Sequence, residues 1–223
     1  MFGRLFHNNA ESLPRKRARM VEEQLRGRGI RDERVLAAMA KVPREEFISS
    51  EDADNAYGDY PLPIGAGQTI SQPYIVASMV EALELLAQDR VLEVGSGTGY
   101  QAAILGELAG EVWTIERHAE LANKAREILQ RLGYSNVQVE TGDGSLGLPE
   151  RAPFDKILVA AAAPRVPDKL VAQLADGGRL VVPVGTRFEQ QVFAVRKVGG
   201  QTVITPREAC RFVPLVGEQG WEP

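Results

Sequence analysis

From Ile75 onward, apolar residues return along the chain in two alternating rhythms, one of helical and one of strand type. Val76, Met79, Val80 and Leu83 share one face of a helix predicted over about Ile75 to Leu86. Arg90-Val91-Leu92-Glu93-Val94 reads as a buried strand running into Gly95-Ser96-Gly97-Thr98-Gly99. The next helix carries Ala102, Ala103, Ile104, Leu105 and Leu108 and stops at Gly110. Val112 to Ile115 predicts a second strand ending at Glu116, residues 119 to 132 an amphipathic helix, and Val137 to Val139 a third strand before the turn Gly142-Asp143-Gly144. A strand over Lys156 to Val159, a helix over Asp168 to Leu174 and a strand over Arg179 to Val184 continue the series. Strands separated by helices imply an α/β fold with a doubly wound, mostly parallel sheet. Beyond Gly185 the rhythm changes. Gln191 to Val198 and Thr202 to Thr205, joined by Gly199-Gly200, predict an antiparallel C-terminal hairpin.

Upstream the pattern is weaker. Met20 to Leu25 is faintly helical and ends at Gly27 and Gly29. Asp32 can cap a helix whose apolar face holds Val35, Leu36 and Met39 and which stops before Pro43. Residues 50–73 hold Pro61, Pro63, Gly65, Gly67 and Pro73, so a long loop is expected there. Tyr57, Tyr60, Leu62, Ile64 and Ile70 within it argue for a packed, functional loop over a disordered one. The run Arg15-Lys16-Arg17-Ala18-Arg19 reads either as the solvated start of a helix or as an RNA-binding arm. The organisation expected is an N-terminal extension over 1–16, whose order is left open, and one domain over 17–223. That domain divides into a helical and loop segment (17–74), an α/β core (75–185) and C-terminal strands with a tail (186–223).

Composition narrows the chemistry. At 44% hydrophobic and 25% charged residues, the 223-residue chain matches ordinary globular proteins. Its longest apolar run, Ile157 to Ala163, is far short of the about 18 residues of a membrane span, and no secretory pattern opens the chain. A cytoplasmic protein without a membrane partner is expected. Cys210 is the single cysteine, so no internal disulfide forms. With only His7 and His118 beside it, no zinc cluster can be built, and no metal is expected. A net charge of −4 gives no general pull toward nucleic acid.

A glycine-rich strand-to-helix turn marks the crevice where adenosine-bearing cofactors bind in Rossmann-like sheets. The alternative is a tight turn with no ligand, although three alternating glycines exceed what such a turn requires. Glu116, at the end of the next strand, is placed to accept from ribose hydroxyls. Two details favour S-adenosylmethionine over a dinucleotide. Tyr100 stands where the dinucleotide fingerprint wants a third glycine or alanine. Glu93 puts a carboxylate two residues before the first glycine, where it would repel a pyrophosphate and attract a cationic ligand. Asp143 reads either as an acceptor for the adenine amino group or as an ordinary turn aspartate. In Gly67-Gln68-Thr69-Ile70-Ser71-Gln72-Pro73, Thr69 or Ser71 would by default cap the helix that follows.

From about Arg17 to Gly217 the chain resembles the protein-L-isoaspartate O-methyltransferases, a class I S-adenosylmethionine-dependent family. The stretches that carry the likeness are Gln68 to Pro73, Leu92 to Ala103, Gly142 to Gly144, Gly177 to Gly185, and Arg211 to Leu215. The glycine loop is common to many methyltransferases, whereas TISQP and RFVPL mark this family. The resemblance implies Ser71 as the active-site residue. It implies donor contacts at Gln68, Thr69, Ile70, Ser71, Gly95, Ser96, Gly97, Thr98, Gly99, Glu116, Asp143 and Gly144, to which the residue argument adds Glu93. Thr69, Ser71 and Val213 are the implied acceptor contacts. One departure is Ala160, where the family usually carries threonine. Residues 1–16 have no counterpart.

The implied reaction moves a methyl group from S-adenosylmethionine to the free carboxyl of an L-isoaspartyl residue, with D-aspartyl acceptors left open, leaving S-adenosylhomocysteine and starting repair through a succinimide. A carboxylate nucleophile with a pKa of about 4 needs no general base. The implied partners are damaged proteins and peptides met by a monomer, with no nucleic acid. Three rivals remain at this point: a methyltransferase for RNA or a small molecule, a non-catalytic binder, and a dehydrogenase.

Overall fold

The alternating segments assemble around one seven-stranded sheet in the computed structural model, which describes residues 11–222. In chain order the elements are α1 (Leu13–Arg19), α2 (Glu33–Lys41), β1 (Leu62–Gly65), β2 (Gln68–Ile70), α3 (Pro73–Leu83), β3 (Arg90–Val94) and α4 (Tyr100–Leu108). They continue with β4 (Glu111–Glu116), α5 (Ala119–Arg131), β5 (Val137–Thr141), β6 (Phe154–Val159), α6 (Asp168–Ala172), β7 (Leu174–Gly185), β8 (Gln190–Val198) and β9 (Gln201–Cys210). The sheet order is β5-β4-β3-β6-β7-β8-β9, parallel from β5 to β7 and antiparallel from β7 to β9.

The chain leaves β3 toward β4 on one side and returns to β6 on the other. The crevice lies at that reversal, beyond the carboxyl ends of β3 and β6, where open α/β sheets bind ligands. Both faces of the central strands are apolar because both are covered. Val91, Leu158 and Val181 join the core shared with α2 to α5, while Leu92, Val94, Ile157, Val159, Leu180 and Val182 join Phe154 and Leu170 on the other face.

The predicted helix at Glu33 forms as its cap suggests: Asp32 accepts from the Arg34 N–H at 2.9 Å, and Val35, Leu36 and Met39 are buried. The hairpin at Gly199-Gly200 also forms, with Val198 opposite Gln201. Four expectations need correcting. The first helix begins at Leu13, earlier than Met20, and passes into a wider π-type winding over Met20–Leu25 before a tight turn ends at Gly29. Residues 50–73 contain the β1–β2 hairpin, whose turn uses the left-handed backbone of Ala66 and Gly67. The helix predicted to reach Leu86 ends at Leu83, where Glu84 turns left-handed. Strand β9 runs to Cys210, well past Thr205.

Residues 1–10 of the expected extension lie outside the described residues, and 11–16 join α1. Three of the four basic residues between Arg15 and Arg19 are engaged within the chain. Lys16 pairs with Asp54 at 2.9 Å, Arg17 donates to the Lys41 carbonyl at 2.8 Å, and Arg19 meets Glu11 at 2.8 Å. No described helix is long and apolar enough to cross a membrane.

Candidate active site

The glycine turn is where the two rhythms meet, and its backbone explains its composition. Gly95, Gly97 and Gly99 have φ of 93°, 53° and 97°, a left-handed series that only glycine adopts without strain. The loop is anchored on two sides. Thr98 Oγ1 donates to the Phe47 carbonyl at 2.6 Å, while the Gly97 N–H donates to Glu116 Oε2 at 3.0 Å. Glu116 Oε1 accepts from the His118 N–H at 2.9 Å, so this buried side chain is fixed at the end of β4. Tyr100 opens α4 fully buried, edge-on to Phe47 with ring centres 5.6 Å apart and beneath the Arg44 guanidinium at 4.9 Å. Its bulk thus packs against Met39, Arg44 and Phe47 of the N-terminal segment.

Around this loop lies a cleft with about 800 Å³ of empty space between its walls. Gly95 to Thr98 form the floor with Val94, Ile115, Glu116 and Gly144; Ile64 and Gln68 to Ser71 form one wall, and Val213 to Val216 the opposite one. Gly144 is glycine for a steric reason, since a Cβ there would sit 2.6 Å from Val94 Cγ1. The tail is stitched to the end of β6: the Ala162 N–H donates to the Val213 carbonyl and the Leu215 N–H to the Ala162 carbonyl, each at 2.8 Å.

A second, larger groove has about 1190 Å³ between its walls, among them Arg28, Pro61, Tyr74, Ile75, Glu208 to Phe212. The two spaces share Thr69, Ser71, Ala160 and Val213. Ser71 therefore stands at the junction. It does not cap α3: the cap position is Gln72, which makes no side-chain cap bond, so the default reading of Ser71 and Thr69 fails. Among the described residues the Ser71 hydroxyl has no hydrogen-bond partner, and it is free to meet a guest in either space.

Two of the expected site residues are placed differently. Strand alternation turns the Glu93 side chain to the Val91 face, beside its register partner Thr114, and it does not line the cleft. It is fully buried and accepts from Thr114 Oγ1 at 2.5 Å. Burial raises its pKa to about 8, with the Glu116 charge adding to the rise against the Thr114 hydrogen bond. At neutral pH it is mostly uncharged and repels no pyrophosphate. The acidic side chain that faces the cleft is Glu116. Asp143 does not line the cleft either. Its Oδ1 accepts from the Ser145 N–H at 2.9 Å and hydroxyl at 2.7 Å, and its Oδ2 from the Glu218 N–H at 2.9 Å. Partial burial works to raise its pKa, but the hydrogen bonds from Glu218 and Ser145 outweigh it and leave the carboxyl below its ordinary value. Asp143 thus holds the tail. All other expected site residues line the cleft except Gly99, which forms the buried cap of α4.

The cleft also has walls that motif reading missed. Gln101 stands inside the quoted Leu92 to Ala103 stretch and Pro214 and Leu215 inside RFVPL, so all three were recoverable; Ile64 and Arg117 carry no signal separable from ordinary core or surface positions.

Comparison with known proteins follows the same lines. The family model described as Protein-L-isoaspartate(D-aspartate) O-methyltransferase matches residues 15–220. A protein-L-isoaspartate O-methyltransferase of Koribacter versatilis is 61% identical over 207 residues, covering 93% of each chain. One of Methanoculleus marisnigri is 52% identical over 213 residues, covering 96% of this chain and 97% of that protein. Among solved structures, a protein-L-isoaspartate O-methyltransferase superposes with a TM-score of 0.83 at 32% identity, over 92% of this chain and 67% of the other. A Plasmodium falciparum structure described as such an enzyme in complex with S-adenosyl-L-homocysteine gives a TM-score of 0.77 at 27% identity, over 88% of this chain and 96% of that one.

Proposed function

The chain belongs to the protein-L-isoaspartate(D-aspartate) O-methyltransferase family, and on that premise we propose how its residues divide the work of methylating an isoaspartyl carboxyl. The cleft takes S-adenosylmethionine, and the larger groove takes the segment of a damaged protein that bears the isoaspartate. The carrying observation is that the two spaces meet at Thr69, Ser71, Ala160 and Val213.

The cleft suits a phosphate-free adenosine compound. The Gly97 N–H, which a phosphate cradle would aim at its ligand, is already donated to Glu116. Each Glu116 oxygen retains a lone pair for ribose hydroxyls. Val94, Ile115 and Gly144 give the floor beside Glu116 an apolar surface on which a flat ring can lie. When bound, S-adenosylmethionine supplies a methyl carbon made electrophilic by its sulfonium.

The chain's own task is placement and exclusion of water. Ser71 Oγ donates a hydrogen bond that orients the acceptor carboxylate at the junction, and Thr69 and Val213 frame it. Ala160 contributes no hydroxyl there, so Ser71 carries the larger share. No proton has to leave the nucleophile, consistent with a junction that has no histidine among its walls. Orientation of this kind supplies roughly 7–11 kcal/mol. Both spaces are built from one chain, which favours a monomer, and Lys16, Arg17 and Arg19 are engaged internally, which disfavours an RNA substrate. The lone cysteine fits the reducing cytoplasm.

The test is methyl transfer from labelled donor to one peptide made in aspartyl and isoaspartyl forms. Only the second should yield a base-labile ester. Ser71→Ala should lower kcat on the order of a hundredfold while S-adenosylhomocysteine affinity stays within about twofold. Equal labelling of both peptides, or loss of donor affinity with normal turnover, would overturn the assignment.

A further inference from the structure

We propose that the acceptor groove sorts damaged segments by charge, with Arg28 and Arg211 favouring isoaspartyl sites flanked by acidic residues over those flanked by lysine. This rests on the reading of the groove as the acceptor site. Its charged wall residues are Arg28, Glu208 and Arg211. Glu208 is already satisfied: one oxygen meets the Ser78 hydroxyl, and the other lies 3.8 Å from Arg207 Nε.

Arg28 is held in place from two directions. Its guanidinium lies 3.6 Å from the centre of the Tyr74 ring, and Nη1 donates to Asp59 Oδ2 at 2.7 Å. Gln72 Nε2 in turn donates to the Asp59 carbonyl at 3.1 Å, tying this pair to the start of α3. Stacking occupies the guanidinium face and Asp59 takes one nitrogen, so Nε and Nη2 still have N–H groups for a guest. Arg211 is exposed at the end of β9 and forms no ion pair among the described residues.

The pairs Arg28–Asp59 and Arg207–Glu208 cancel, and Arg211 leaves a local positive excess on a chain whose net charge is −4. A segment entering in extended form passes these groups with its neighbouring side chains. Acidic neighbours gain attraction and charge-assisted hydrogen bonds, while basic neighbours meet like charge. Because both arginines are solvent-exposed, the preference is modest and sensitive to salt.

The experiment uses isoaspartyl peptides of one sequence, differing only in Glu or Lys within two residues on either side of the isoaspartate. At low salt, KM for the Glu-flanked peptides should be on the order of three- to tenfold lower, with kcat shared. The difference should shrink at about 0.5 M salt and in Arg211→Gln, and vanish or reverse in the Arg28→Gln, Arg211→Gln double variant, which leaves Asp59 without its cation. Equal KM values across the peptides, or a preference that survives in the double variant, would overturn the proposal. Failure of every isoaspartyl peptide to accept methyl groups would instead overturn the acceptor site itself.

Discussion

Replacing Glu93 with glutamine separates a buried neutral acid from a buried charge. The side chain is fully buried, with one oxygen bonded to Thr114 and the other without a partner. Burial carries its pKa from an ordinary 4.5 to about 8, which corresponds to about 5 kcal/mol of native-state preference for the protonated form. The native state therefore holds this proton more tightly than the unfolded chain does. The associated stability is complete below about pH 4.5 and falls as pH rises, by up to about 1.4 kcal/mol per pH unit, until it levels off above about pH 8. Glutamine keeps an acceptor for Thr114 and cannot ionise. Urea unfolding at pH 5, 7 and 9, followed by the fluorescence of Trp113 and Trp221, measures both proteins under shared background titrations. The stability of Glu93→Gln should be close to that of the wild type at pH 5 and exceed it by about 3–5 kcal/mol at pH 9. A difference that stays constant across this range would refute the burial argument and return Glu93 to the role of a fixed negative charge.

Two further outcomes follow from the anchors of the cleft. Thr98→Val leaves the Phe47 carbonyl without its 2.6 Å donor and should cost about 1–3 kcal/mol in urea unfolding; a cost below about 0.5 kcal/mol would mean that water replaces the hydroxyl. In Gly217→Ala the new Cβ would lie 2.0 Å from Asp143 Oδ1, forcing the tail to lift and break the bonds from the Glu218 N–H to Asp143 and the Gln219 N–H to Ser145 Oγ. Calorimetric titration with S-adenosylhomocysteine should show roughly tenfold weaker binding, and an unchanged Kd would show that the tail does not close the cleft.

The α/β core is legible in the sequence because its strands are buried on both faces and its helices on one, so Val91 to Val94 and Ala119 to Arg131 carry clean periodicities. The glycine loop is legible because its backbone excludes every other residue. Strand β9 is harder to read: Gln201 to Arg207 lie exposed at the sheet edge, and no burial imposes alternation on them. The π-type winding over Met20–Leu25 leaves no compositional mark. Glu93 and Asp143 show a different kind of limit. Their presence near the site is readable, but strand parity decides that the first faces Thr114. The second is claimed by Glu218, 75 residues away in sequence, through a backbone group that every residue possesses.

The far wall of the cleft comes from the segment after β9, stitched to Ala162 just past the end of β6. During synthesis every strand emerges before that wall does. A nascent chain can therefore have its whole sheet and still lack a closed chamber for its cofactor, so competence to methylate arrives late, with the docking of Val213 to Val216. Cleavage of the backbone ahead of Val213 would release that wall and silence the enzyme without unravelling the layers beneath.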